Sequence, residues 1–76
     1  MITPGQCRAA RALLELSQKE LAESAGVSLR TLQGFEAGDR ELQSLALSAI
    51  KRILEEKGIA LIRQDDWIGV KLSLQK

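Results

Sequence analysis

Few side chains in this sequence can do covalent chemistry, and their types exclude most of it. Cys7 is the only cysteine and histidine is absent. No disulfide framework, CxxC metal site or zinc site can be assembled within the chain, nor a Ser-His-Asp or Cys-His nucleophile. None of the Asp and Glu residues sits in a context that suggests an acid/base pair. Cys7 reads as a small buried hydrophobe, and Asp65-Asp66 as a turn rather than a metal ligand. A chain of 76 residues also has little interior in which to bury a substrate pocket. The sequence therefore reads as a non-enzymatic binding module with neither cofactor nor metal.

The composition narrows this further. The length suits one domain, since domains commonly hold ~100–150 residues. Apolar residues make up 45%, too many for a disordered tail. Trp67 and Phe35 are the only aromatics, so the core must be aliphatic. A net charge of +1 argues against a basic arm or a polybasic membrane anchor. No apolar run reaches the ~18 residues of a membrane span, and the first residues lack the pattern of a secretory signal. The expected location is the cytoplasm, with no membrane partner.

Whatever the chain binds must be presented by short helices. Thr3-Pro4-Gly5-Gln6 is a capping box with proline at the first helical position, predicting a helix from about Pro4 to Leu14 or Glu15. Cys7, Ala10, Arg11 and Leu14 share one of its faces. Ser17-Gln18-Lys19-Glu20 is a second capping box, opening a helix of about Gln18 to Ala25 that buries Leu21, Ala22 and Ala25. Gly26 suits a left-handed helix exit. Ser28 caps a third helix, about Leu29 to Glu36, with Leu32 and Phe35 inward and Gly38 closing it. Ser44 caps a fourth, about Leu45 to Lys57, with Ala46, Leu47, Ile50, Ile53 and Leu54 as its apolar stripe. After Gly58 the period falls towards 2. Ile59 to Ile62 reads as a strand and Gln64-Asp65-Asp66 as a turn. Ile68, Val70, Leu72 and Leu74 then alternate with Trp67, Gly69, Lys71 and Ser73 as a strand with one apolar face. Residues 1–58 form the helical part and 59–76 a β-hairpin extension of the same folding unit. Trp67 reads as a packing residue of that hairpin rather than as an exposed anchor for a partner.

Ser17 to Gly38 carries the most information. Two short helices meet at a tight turn, Ala25-Gly26-Val27, where small Ala22 permits close approach and Gly26 permits positive φ. That is a helix-turn-helix. Its second helix buries Leu32 and Phe35 and exposes Leu29, Arg30, Gln33, Gly34 and Ala37. The stretch resembles the lambda-repressor and Cro-type helix-turn-helix regulators, also called the xenobiotic response element family. The matching residues are Arg11, Leu16-Ser17-Gln18, Glu20-Leu21-Ala22, Gly26-Val27-Ser28, Leu32, Glu36 and Gly38, spread over about residues 5–57. The tail, Gly58 to Ile62 followed by Gly69 to Leu72, is similar to short bacterial regulators that end in a hairpin.

The resemblance implies a mainly α, four-to-five-helix DNA-binding domain with a C-terminal β-hairpin, and roles for particular residues. Arg11 and Glu36 stand where the family forms an ion pair between its first and third helices, a structural role. Gln18 stands where the family touches phosphate and steadies the recognition helix. Ser17, Ser28 and Arg40 are further candidates for phosphate contact. Leu29, Arg30, Gln33 and Gly34 would face the major groove. There Arg30 suits guanine, Gln33 suits adenine and Leu29 suits a thymine methyl. Gly34, inside that helix, costs roughly 1 kcal/mol relative to Ala. It either lets the DNA backbone come close or is simply tolerated.

Residues 1–40 carry five basic and five acidic groups. Non-specific DNA binding is driven by Lys and Arg against phosphate, so one domain should bind weakly and two on adjacent half-sites more tightly. The expected function is a sequence-specific regulator of double-stranded DNA. The resemblance implies a repressor, acting as a homodimer on a palindromic operator. The final strand, with Ile68, Val70, Leu72 and Leu74, would supply the dimer contact. Two other readings share the scaffold. One is an antitoxin whose hairpin or fourth helix masks a toxin protein. The other is a protein-interaction adaptor that has lost DNA affinity.

Overall fold

A computed structural model describes residues 1–75 of the protein. Four helices precede a two-stranded antiparallel hairpin: α1 (Pro4–Leu14), α2 (Gln18–Ala25), α3 (Leu29–Glu36), α4 (Ser44–Glu56), β1 (Ile59–Gln64) and β2 (Trp67–Leu72). The first three helices begin at the caps read from sequence. The Thr3 hydroxyl accepts from Gln6 N at 3.1 Å, and the Gln6 side-chain Oε1 accepts from Thr3 N at 3.1 Å. Ser17 and Glu20 form the same reciprocal pair, and Ser28 accepts from Thr31 N at 3.0 Å. The fourth start differs. α4 begins one residue earlier than expected, so Ser44 is its first helical residue. Its cap is Gln43, which makes no side-chain bond to the helix.

Leu21, Leu32, Ile50 and Leu54 are fully buried, with Cys7, Ala10, Ala22 and Phe35 beside them. The core is therefore aliphatic and shared by all four helices. Ile2 is also buried and adds to it from just before the α1 cap. Such a residue can fix the angle at which the chain enters a helix.

The hairpin pairs Ile59 with Leu72, Leu61 with Val70 and Arg63 with Ile68. Residues paired across an antiparallel ladder share a face. Ile59 is buried, and Leu61, Val70 and Leu72 pack against the core. Near the turn the apolar face runs out of helix to cover, and Arg63, Ile68, Gln64 and Trp67 are all exposed. Two expectations are corrected here. Trp67 is 75% exposed and does not pack the hairpin. β2 stops at Leu72, so Leu74, at 91% exposure, lies beyond the strand and its apolar face. Asp65, at the turn, has φ 55°, a left-handed conformation that Asp tolerates.

Gln6 ties the hairpin to α1. Its side chain is buried, and its amide nitrogen donates to the carbonyls of Ile62 (3.1 Å) and Gly69 (2.9 Å), which are partners across the two strands. One side chain thus closes the α1 cap and clamps both strands. Gln6→Glu retains the cap acceptor but points carboxylate oxygen at two carbonyls. We expect it to cost about 2–3 kcal/mol, the scale of leaving buried polar groups unpaired, and to speed hydrogen exchange across the hairpin. Wild-type stability to urea in this variant would contradict the clamp.

Candidate nucleic-acid interface

α2 and α3 are joined through Gly26, whose φ of 73° reverses the chain. Val27 N donates to Ala22 O at 3.0 Å, closing the turn. The small side chain of buried Ala22 leaves room for the helices to approach. α3 then has two chemically distinct faces. Leu32, Phe35 and Glu36 are buried. Leu29, Arg30, Gln33 and Ala37 are exposed, with Gly34 half-buried among them.

Glu36 is the anchor of the inner face. At 2% exposure it is a buried charge, which needs both a counter-ion and hydrogen bonds. Arg11 supplies a two-pronged contact, Nε to Oε2 at 2.7 Å and Nη2 to Oε1 at 2.7 Å. Gln18 Nε2 donates to Oε1 at 2.9 Å, and Cys7 Sγ donates to Oε2 at 3.0 Å. Arg8 Nη1 donates to the Glu36 backbone carbonyl, and Arg11 Nη1 reaches Leu16 O at 3.1 Å. Burial alone would raise the Glu36 carboxyl. The donors from Arg11, Cys7 and Gln18 outweigh it and hold the group below the usual carboxylate range. The Cys7 thiol is pushed up, by burial first and then by its hydrogen bond to Glu36, so it stays protonated and is a poor nucleophile. The network bolts α3 to α1 and α2, fixing the direction of the outer face.

The structure brings Leu29, Arg30, Gln33 and Gly34 together on that outer face, as helical spacing requires. Arg40 joins them from the following loop. Arg30, Gln33, Gly34, Ala37, Asp39 and Arg40 line a shallow open depression of about 530 Å³. Among the described residues neither Arg30 nor Arg40 has an ion-pair partner. The one acidic residue of α3, Glu36, is neutralised inside the domain. The even charge count over residues 1–40 therefore does not describe this face, where two free guanidinium groups stand beside Asp39.

The other candidates lie at helix starts. Ser17 and Ser28 are exposed caps whose oxygens accept from the helices they open. The Ser28 hydroxyl also pairs with Thr31 Oγ1 at 2.7 Å. Gln18 is half-buried, and its amide nitrogen is committed to Glu36. Sequence reasoning missed that commitment, together with the Cys7 and Arg8 donors and the Gln6 clamp. The Gln6 capping box was the available hint, since it marks the residue but not its second job.

The helix-turn-helix family model matches residues 8–62, from α1 into β1. No curated protein matches the chain significantly. The match covers most of the 76 residues and spans most of α1, all of α2, α3 and α4, the Gly26 turn and the Arg11–Glu36 pair. The chain belongs to the helix-turn-helix family of the lambda-repressor and Cro type.

Proposed function

We propose that this protein is a sequence-specific transcriptional repressor of the cytoplasm that reads a palindromic operator as a homodimer. Membership in the family brings a DNA-binding, transcription-regulating kind of function. One observation carries the finer reading. The buried face of α3 is locked through Glu36 to α1 and α2, while its outer face presents Leu29, Arg30 and Gln33 with no side-chain partner among the described residues. A rigid helix with a free guanidinium, a free amide and an apolar tip suits the major groove. Arg can take guanine through two hydrogen bonds, Gln can take adenine, and Leu can touch a thymine methyl. Ser17, Ser28 and Arg40 flank that helix as phosphate contacts, which set register. Gln18 contributes through Glu36, with its remaining amide oxygen outside that bond.

The dimer reading rests on β2. Val70 and Leu72 turn into their own core, so their side chains are not what a second copy meets. The two-residue turn at Asp65-Asp66 makes Gln64 and Trp67 the closing hydrogen-bonded pair. Every second pair follows, through Ile62 with Gly69 and Ala60 with Lys71. The backbone groups of Ile68, Val70 and Leu72 therefore point away from β1, along an open edge beside the exposed Ile68 side chain. A second copy pairing there would supply the second α3 that a palindromic site, with half-sites about one helical turn apart, requires.

The test is selection from a random duplex pool at ~150 mM salt, with sequencing of what the protein retains. An inverted repeat is the expected product. A folded protein that retains nothing, even at low salt, would overturn the reading. On the recovered site, Arg30→Ala should cost ~1–3 kcal/mol and relax preference at one position. If Arg30→Ala weakens all sequences equally, Arg30 is not a base reader.

A further inference from the structure

Gly34 is the oddest residue of the outer face, because a helix interior disfavours glycine. A Cβ placed there would lie 2.6 Å from Arg40 Cδ and 3.1 Å from Cγ. The space beside Gly34 is thus filled by the aliphatic stem of Arg40, which crosses α3 at this point. Those are middle atoms of the side chain, so a methyl group at residue 34 would displace the whole arm rather than its tip. Arg40 is otherwise exposed and has no ion-pair partner among the described residues, and it lines the same depression as Arg30 and Gln33.

We infer that Gly34 is a positioning residue. It is a seat that lays Arg40 across the recognition helix, so that its guanidinium meets a DNA backbone phosphate beside the groove that α3 enters. The inference rests on the DNA-binding reading and changes the part played by Gly34. It acts through Arg40, not by touching a base. The lost helix propensity is exchanged for a fixed cationic arm. An arm held along α3 loses less freedom on binding than a free one, which favours the contact.

The experiment is a double-mutant cycle on wild type, Gly34→Ala, Arg40→Ala and the double variant. Affinity for a mixed-sequence duplex of about two helical turns is measured across a salt series. Arg40→Ala should weaken binding about tenfold at low salt and lower the salt slope by about 0.9, the signature of one phosphate contact. Gly34→Ala should reproduce most of that loss and the same change in slope. In the Arg40→Ala background it should add nothing. Thermal unfolding without DNA separates misfolding from lost contact, because alanine improves helix propensity and Gly34→Ala should melt no lower than wild type. An equal loss from Gly34→Ala in both backgrounds would mean that the methyl strikes DNA itself, and would overturn the inference. So would undiminished binding by Gly34→Ala. Failure of wild type to bind any duplex at low salt removes the DNA reading as well, a result distinct from either.

Discussion

Arg11→Ala should cost about 3 kcal/mol of folding stability, a large share of what a domain of this size possesses. The argument begins at Glu36, whose carboxylate is 2% exposed and takes both prongs of the Arg11 guanidinium at 2.7 Å. Removing one partner of a buried pair leaves an uncompensated charge, typically ~3–5 kcal/mol. The low end applies because Arg11 is itself 19% exposed and the Gln18 and Cys7 donors remain. Glu36→Gln should cost less, since the stranded Arg11 can reach water. Acid should expose the same carboxylate. Its folded value lies below the ordinary 4.5, so the unfolded chain takes up the proton first. The stability it contributes is complete at pH values above about 4.5 and is lost as pH falls through the lower folded-state value. Urea unfolding across pH would show a weaker acid dependence for Glu36→Gln than for wild type. Equal stabilities for Arg11→Ala and wild type at neutral pH would mean that the pair only orients α3.

Much of this arrangement is legible in the sequence because local chemistry and tertiary packing agree. The helix starts at Thr3, Ser17 and Ser28 follow from hydroxyl caps, and the turn at Gly26 from a residue that accepts positive φ. The two faces of α3 follow from the spacing of Leu32 and Phe35. Contacts across long stretches of chain are another matter. Nothing local says that Gln6 reaches Ile62 and Gly69, or that the stem of Arg40 occupies the space at Gly34. Exposure misleads at the hairpin for a related reason. Alternation assigns Ile68 and Leu74 to the inner face with Val70 and Leu72, but it cannot say where the helices beneath that face end. Polar function at Gln18 and Cys7 was obscured similarly. A helix-start glutamine and a buried cysteine look ordinary until the carboxylate they both serve is located.

On the proposed pairing of two copies along β2, Ile68→Lys should abolish dimerisation and lower apparent operator affinity by ~10²–10⁴-fold, the usual scale for losing a linked second site. Deleting residues 67–76 cannot test the dimer cleanly. It would strip Val70 and Leu72 from the core and remove the Gly69 carbonyl that Gln6 holds. Ile68 avoids this, being 52% exposed near the projecting end of the hairpin. A lysine there keeps the β1–β2 hydrogen bonds, although it stands opposite Arg63, and it places a charge beside the open edge, a device that discourages strand pairing between molecules. Light scattering should report a monomer, and the like charge opposite Arg63 should cost no more than about 1 kcal/mol of stability measured at a concentration where wild type is also monomeric. Affinity should fall steeply on an inverted repeat and little on a single half-site. That difference decides the matter, since loss of fold or of a phosphate contact would weaken both duplexes alike. A dimer that persists in Ile68→Lys would move the interface away from β2, leaving the exposed apolar surface at Leu13 or Leu45 to be tested in its place.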